Sequence, residues 1–225
     1  MKDNLLTQGL MSIGFQQAFI PHLEEKMEAY TKELMLFNAA YDLVGANSKE
    51  DIIIRHILDS LSPVLIIQQL VENAATNSGQ EVVIGDIGSG GGLPGIPLAA
   101  ALPNTSFVLV ERMSKRCAFL SNCVAVLGLK NVTILNEQAE RLSQNQFDVA
   151  VFRAFRPLDK KMIRILLRIL KPTGNLAAYK AKMENIKTEM EAISAFVPEY
   201  KTMPLTVPFL ENYERHLVLI PKQKN

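Results

Sequence analysis

Segments of strand length alternate with segments of helix length in the second part of the chain, from residue 81 onward. The first strand contains the apolar run Val82-Val83-Ile84. Alternation of this kind predicts a parallel sheet whose strands are joined by right-handed helical crossovers. The predicted strands are 81–87, 106–111, 131–135, 148–152 and 175–180, and the predicted helices are 93–101, 114–127 and 158–170. We therefore expect an α/β protein.

The two ends of the chain depart from this alternation. Residues 201–207 and 215–220 are extended runs with no helix between them, which predicts an antiparallel hairpin at the C-terminus. Before residue 73 the pattern is helical, with Pro21 opening one helix and residues 49–61 forming another. The polar stretch 73–80 predicts a boundary between an N-terminal helical extension, residues 1–75, and a main domain, residues 76–225. The extension is either a substrate platform or structural support.

Composition limits the classes of function. The chain has 225 residues, 48% of them hydrophobic, and a formal net charge of +1, so any contact with nucleic acid must use a local patch. No apolar run approaches the roughly 20 residues that span a bilayer, and the N-terminus opens no secretory signal, which predicts a cytoplasmic protein without membrane contact. Cys117 and Cys123 fit neither a metal site nor a redox pair and are expected in the core.

A glycine-rich turn follows the first predicted strand and is the main indication of function. Its acid-x-Gly-x-Gly-x-Gly pattern consists of Asp86, Gly88, Gly90 and Gly92, and glycine lets backbone N–H groups approach a ligand closely. A dinucleotide fingerprint would require glycine in place of Leu93, and a phosphate-binding P-loop would require Gly-Lys-Ser/Thr. The pattern resembles the first motif of class I methyltransferases, which bind S-adenosylmethionine. That resemblance implies a Rossmann-like, mostly parallel seven-stranded sheet.

Two further positions lie at predicted strand ends. Glu111 comes 23 residues after Gly88, close to the offset of roughly 20 residues at which a carboxylate accepts hydrogen bonds from a ribose; a solvated charge is the alternative. Arg153 follows the fourth strand, at the sheet edge where ligands bind in open α/β folds. The segment after it has neither the Asn/Asp-Pro-Pro-aromatic motif of amine methyltransferases nor a cysteine nucleophile.

Basic residues and one His–Asp pair leave alternatives open. Lys160, Arg164, Arg168 and Lys171 form one stripe along a predicted helix, which indicates either phosphate contacts or a solvated face. The same two interpretations apply to the neighbouring cations Lys115 and Arg116. His56 and Asp59 are three residues apart on a predicted helix and therefore share a face, although spacing alone favours a surface or capping pair.

Several motifs in fixed order resemble one family, glucose-inhibited division protein B, a bacterial 16S ribosomal RNA guanine-N7 methyltransferase. The resemblance extends from about residue 30 to residue 220. The motifs are Arg55-His56-Ile57-Leu58-Asp59-Ser60, the turn from Asp86 through Gly-Leu-Pro-Gly-Ile-Pro to Leu98, Lys115-Arg116, Phe119-Leu120, Arg153-Ala154 and Glu214-Arg215-His216-Leu217. One motif departs from the family, which commonly has Leu-Lys-Gly where this chain has Tyr179-Lys180-Ala181.

The resemblance implies methyl transfer from S-adenosylmethionine to guanine N7 in the decoding-region loop of small-subunit RNA. It implies that Gly88 and Leu93 line the cofactor, that Ala139 and Glu140 lie beside its adenine and that Arg153 binds the cofactor and takes part in catalysis. His56, Asp59, Lys180 and Arg215 match recurrent family positions, which we treat as candidate catalytic or RNA-binding residues. We also expect a monomer without a metal.

The implied reaction explains why the sequence shows no obvious general base. Guanine N7 carries a lone pair and no proton at neutral pH, so no proton has to be removed before transfer. Catalysis would then come from alignment and electrostatics. Two alternatives stay open at this point, a methyltransferase of a small molecule or protein and a non-catalytic RNA-binding adaptor.

Overall fold

The structure is a computed structural model that describes residues 4–46, 48–153 and 158–222. In this part of the chain seven strands form one sheet in the order β3-β2-β1-β4-β5-β7-β6. Strands β1 to β5 pair in parallel, and β7 pairs antiparallel with both β5 and β6. The strands are β1 (Val83–Ile87), β2 (Ser106–Val110), β3 (Val132–Leu135), β4 (Phe147–Arg153), β5 (Leu170–Lys180), β6 (Lys201–Pro204) and β7 (His216–Pro221). The predicted parallel sheet with a C-terminal hairpin is confirmed.

Helices cover both faces of the sheet. They are α1 (Leu5–Ile13), α2 (Ile20–Tyr41), α3 (Lys49–Ile52), α4 (Asp59–Leu61), α5 (Val64–Ser78), α6 (Gly95–Ala101), α7 (Ser114–Val126), α8 (Lys160–Ile169) and α9 (Met183–Ala192). A π-helical segment, Ile53–Leu58, joins α3 to α4, and a 3-10 turn covers Ala139–Arg141. None of the helices in the described ranges is long and apolar enough to cross a membrane.

Alternate residues of the central strands divide the core into two layers, as the pleat of a strand requires. In β4, Val149 and Val151 pack with the N-terminal helices and α6, whereas Ala150 and Phe152 pack with α8 and α9. Both faces of the central strands are therefore covered, as expected for a parallel sheet. Cys117 and Cys123 are buried and unpaired, which confirms their expected place in the core.

The N-terminal helices are packed into the same core as the sheet. Leu10, Tyr30 and Leu58 belong to one hydrophobic cluster with Ile84 of β1. Residues 73–78 of the polar stretch form the last turns of α5, so the predicted boundary at residue 75 falls inside a helix. The division into an extension and a main domain stays a prediction about sequence organisation.

Candidate active site

The turn after β1 depends on glycines in a conformation that side chains rarely adopt. Gly88, Gly90 and Gly92 have φ of 73°, 58° and 92°, in the left-handed region where a Cβ is strained. The amides of Gly88 and Ser89 donate to the carbonyl of Val110 in β2, at 2.9 and 3.0 Å. These bonds fix the turn against the neighbouring strand, at the carboxyl edge of the sheet.

Asp86 supports this turn through hydrogen bonds of its side chain. Its Oδ2 accepts hydrogen bonds from the Ser89 hydroxyl at 2.6 Å and from the Gly95 amide at 3.0 Å. The side chain is almost completely buried, and burial raises the pKa of Asp86 to about 6, an effect that the nearby positive charge of Arg153 opposes. From the other side, the buried Tyr30 hydroxyl of α2 donates to the carbonyl of Gly91.

A cavity of about 360 Å³, here called the turn cavity, opens beside the turn. Its lining includes Gly88, Glu111, Met113, Arg116, Ala139 and Glu140. Glu111 is buried, and its two oxygens accept from the Gly90 amide at 3.0 Å and from the Met113 amide at 2.8 Å. A carboxylate oxygen can accept more than one hydrogen bond, so Glu111 retains capacity for a hydroxyl ligand.

The predicted cofactor-binding residues fall into three sets, of which Arg153 forms one by itself, because it lines a second cavity described below. Gly88, Glu111, Ala139 and Glu140 line the turn cavity. Asp86, Gly90 and Leu93 belong to the turn and its support instead, and Leu93 is buried in the core cluster. We expect Leu93 to act on a ligand through the shape of the turn.

A second cavity of about 440 Å³, here called the arginine cavity, lies at the carboxyl ends of β4 and β5. It brings together residues that are far apart in the sequence: Arg55, His56, Asp59, Arg153, Lys180 and Arg215. These include every predicted catalytic residue. In the sequence, only the resemblance to the family groups these residues together. Ala154, which completes the Arg153-Ala154 motif, lies outside the described residues.

Asp59 is the centre of this cavity's ion pairs. Its Oδ2 accepts from Arg153 Nη1 at 2.7 Å, and its Oδ1 accepts from Arg215 Nε at 3.0 Å. The Asp59 side chain is only 8% exposed, so both pairs are shielded from water. The His56–Asp59 step thus proves to be part of a buried network, and Asp59 ties the helical segment to both β4 and β7.

His56 is held in its neutral form. Arg153 Nη2 lies 3.0 Å from His56 Nδ1, and a guanidinium has only donors, so Nδ1 is the acceptor and the proton is on Nε2. Burial and the charge of Arg153 lower the pKa of His56 to about 4. Its backbone belongs to the π-helical segment, a rare geometry that is frequent at functional sites.

Lys180 borders the cavity at the end of β5 and has its partner in α9. Its Nζ lies 2.6 Å from Glu189 Oε2, and both side chains are largely shielded. Ala181, where the sequence departs from the family, accepts a hydrogen bond through its carbonyl from His216 Nδ1 at 2.6 Å. The chain after Lys180 is therefore anchored to β7.

Residues 42–45, here called the connecting segment, link the two cavities. The Asn38 side chain holds this segment through three hydrogen bonds of 2.9 Å, to both amides and one carbonyl of Leu43 and Val44. Arg116 of the turn cavity donates to the carbonyl of Asp42 at 2.9 Å. Gly45, at the other end of the segment, lines the arginine cavity.

The geometry can be compared with known proteins. The GidB family model, described as rRNA small subunit methyltransferase G, matches residues 23–218. The chain belongs to this family.

Individual members of the family resemble nearly the whole chain. The ribosomal RNA small subunit methyltransferase G of Treponema denticola is 39% identical over 99% of this chain and 95% of its own length. The protein of the same name from Polynucleobacter asymbioticus is 31% identical over 97% of this chain and 98% of its own length. The resemblance predicted from the motifs is confirmed.

Solved structures show the same fold at low sequence identity. A tRNA methyltransferase from Aquifex aeolicus superposes with a TM-score of 0.55 at 14% identity, covering 75% of this chain and 69% of that one. A SAM-dependent methyltransferase of the same organism gives 0.51 at 17% identity, covering 72% and 91%. The predicted class I methyltransferase fold is thereby confirmed.

The basic residues predicted to bind RNA have differing surroundings in this family member. Arg164 lies over the Phe196 ring at 4.4 Å, and Arg168 donates to the Glu140 carbonyl at 3.0 Å. Arg116 faces the turn cavity. Lys115 and Lys160 are exposed. Lys171 does not extend the helical stripe as predicted, because it lies in β5 and pairs with Asp148 at 2.7 Å. RNA contact stays a prediction for all of them, and the contact of Arg168 gives it a structural role beside the turn cavity.

Sequence reasoning did not single out Asn38, Gly45 or Glu189, and it placed Tyr30 on the apolar face of a helix without foreseeing its hydrogen bond to Gly91. Asn38 lies outside the regular apolar pattern of α2, and its partners Leu43 and Val44 follow within six residues, so its contacts are local. Glu189 belongs to α9, for which no helix was predicted. For Gly45, Tyr30 and Glu189 the informative signal is tertiary.

Proposed function

We propose that this protein transfers the methyl group of S-adenosylmethionine to N7 of a guanine in the decoding-region loop of 16S ribosomal RNA. The names of its relatives support ribosomal RNA of the small subunit as the substrate. The observation that carries the proposal is the pair of cavities at the carboxyl ends of neighbouring strands, the turn cavity after β1 and the arginine cavity after β4.

The turn cavity fits an adenosyl cofactor. The Glu111 carboxylate suits ribose hydroxyls, and the glycine backbone at Gly88 permits close approach of a ligand. Ala139 and Glu140, in the 3-10 turn, would flank an adenine. S-adenosylmethionine, when bound, supplies a methyl group on a positively charged sulfur.

The arginine cavity suits a guanine. The base presents O6 and N7 as acceptors on one edge. An arginine N–H that donates to O6 orients this edge and leaves the N7 lone pair free to attack the methyl carbon, whereas a hydrogen bond to N7 would occupy that lone pair. Asp59 fixes the guanidinium groups of Arg153 and Arg215, so their donors are oriented before RNA arrives. We assign Asp59 as a positioning residue, and Arg153, Lys180 and Arg215 as residues that contact the nucleotide.

The same geometry argues against a general base. Both oxygens of Asp59 accept hydrogen bonds from arginines, and His56 Nδ1 accepts one from Arg153. Neither group needs to remove a proton, because N7 has none. The negative charge of Asp59 offsets part of the arginine charge, which lowers the electrostatic cost of moving positive charge onto the base.

The direct test is to incubate the purified protein and labelled S-adenosylmethionine with one candidate substrate per reaction. The candidates are small ribosomal subunits, bare ribosomal RNA, a protein fraction and a metabolite fraction. We expect label in small-subunit RNA, recovered as 7-methylguanosine. Label only in protein or metabolites would contradict the proposed substrate. RNA binding without any transfer would contradict catalysis and favour an adaptor. We further propose that the protein acts as a monomer.

A further inference from the structure

An exposed aromatic side chain stands at the rim of the arginine cavity. Tyr213, in the connection between β6 and β7, is 52% exposed. The guanidinium carbon of Arg55 lies 5.6 Å from the centroid of its ring, and Arg55 itself lines the cavity. A planar cation and an aromatic ring thus lie together at the entrance, and both can stack on a nucleic acid base.

The connection that carries Tyr213, residues 205–215, is held in a defined shape. The Leu205 amide donates to the Arg215 carbonyl at 2.8 Å, and the Tyr213 amide donates to the Leu210 carbonyl at 2.9 Å. Leu210 is buried, and Arg215 is bound to Asp59. The aromatic ring is therefore presented from an anchored loop that belongs to the same network as the cavity.

Phe209 in the same loop has an unfavourable backbone and an exposed ring. Its φ is +67°, in the left-handed region, which is unusual for a bulky residue. The Glu211 carboxylate accepts a hydrogen bond from the Phe209 amide at 2.9 Å. Because the residue is 40% exposed, burial of the ring gives little compensation for this conformation. Strained residues of this kind cluster at binding sites.

Cations of the arginine cavity lie beside the loop. Arg55, Lys180 and Arg215 line that cavity, and each forms an ion pair with a carboxylate, at 3.2, 2.6 and 3.0 Å. An unpaired RNA strand presents phosphates and exposed base faces together, so it complements a surface that combines cations with aromatic rings.

We propose that residues 205–215 form a stacking platform for the unpaired base that neighbours the methylated guanine, with Tyr213 and Arg55 as its contact groups. This inference rests on the proposed function, because it assumes an RNA strand entering the arginine cavity. The loop holds the strand while the target base occupies the cavity, so it contributes to RNA affinity and to the choice of single-stranded sites. Methyl-donor binding takes place in the turn cavity and does not depend on it.

The test uses the full-length protein and an RNA hairpin with the methylated loop sequence, in which 2-aminopurine replaces a base beside the target. Stacking on an aromatic ring quenches this fluorophore. We expect Tyr213→Ala to weaken RNA binding by about tenfold and to abolish the quenching, because one base–aromatic stack is lost. Tyr213→Phe retains a ring and should behave like the parent protein.

Tyr200→Ala is the matched control, because Tyr200 is an exposed tyrosine, 38% accessible, that precedes β6 outside the loop. Equal affinity and quenching for Tyr213→Ala and the parent would overturn the platform, as would an equal loss for Tyr200→Ala. Thermal unfolding and methyl-donor affinity verify that each variant is folded. Binding is measured without methyl donor, so the result does not depend on catalysis. If the parent protein binds the RNA and quenches the fluorophore but transfers no methyl group, the proposed function is contradicted and the platform is not.

Discussion

At the scale of single residues, the arginine cavity depends most on Asp59. This buried carboxylate is the shared partner of Arg153 and Arg215, so its removal leaves two guanidinium groups without their common acceptor. Removing one member of a buried ion pair costs more than removing a surface charge, because the remaining charge stays partly desolvated. The geometry of the cavity should therefore change with this one side chain.

We predict that Asp59→Asn lowers kcat for RNA methylation by about 100-fold, a loss typical of misplaced binding groups. Methyl-donor affinity should change little, because Glu111 and the turn are untouched.

Since the pKa of His56 is about 4, this histidine stays neutral between about pH 6 and 8, and raising the pH should not restore the rate. Full rescue at high pH would show that Asp59 is a base. Glu28→Gln, which breaks the partly exposed pair with Lys49, is the control with little expected effect.

At the scale of elements, the N-terminal helices do more than cover the sheet. Helix α2 supplies Tyr30 to the turn and Asn38 to the connecting segment, and that segment contacts Arg116 at one end and borders the arginine cavity at the other. The two cavities thus share a wall that comes from outside the parallel sheet. The position of this wall should affect both ligands.

We predict that Asn38→Ala weakens methyl-donor binding and raises the KM for RNA together, because the connecting segment loses three hydrogen bonds. At about 1 kcal/mol each, these bonds would also lower the free energy of unfolding by about 3 kcal/mol. Asn38→Asp can still accept from both amides and should be intermediate. Gln68→Ala, which removes an exposed hydrogen bond to Glu72 within α5, should leave both constants unchanged. Calorimetry and steady-state kinetics decide it, and an effect on one ligand alone would contradict a shared wall.

The elements also show what the sequence could and could not predict. Strands β1 to β4 were predicted because short, mostly apolar runs, such as residues 107–110 and 149–152, alternate with segments of helix length. Helix α9 was missed because it buries only Ile186 and Met190, too few apolar positions for a periodic signal. Strand β5 begins at Leu170, five residues before the predicted start, through a Pro-Thr-Gly stretch that resembles a turn. The π-helical segment has no sequence signature, and the partners of Arg164 and Arg168 come from distant parts of the chain.

At the scale of the whole molecule, the sheet order brings the ends of β1 and β4 side by side and thereby places the turn cavity next to the arginine cavity. The glycine turn alone predicts the first cavity, and the motif resemblance adds the second. Their combination supports the central proposal, in which an adenosyl cofactor in the first cavity donates its methyl group to a nucleotide atom that carries no proton.

The most direct measurement is nucleoside mass spectrometry of small-subunit ribosomal RNA from cells with and without the gene for this protein. We expect 7-methylguanosine to disappear from one fragment of that RNA in the deletion strain and to return when the parent protein is supplied, but not Asp59→Asn at equal abundance. An unchanged level of 7-methylguanosine in every fragment of the deletion strain would contradict the account.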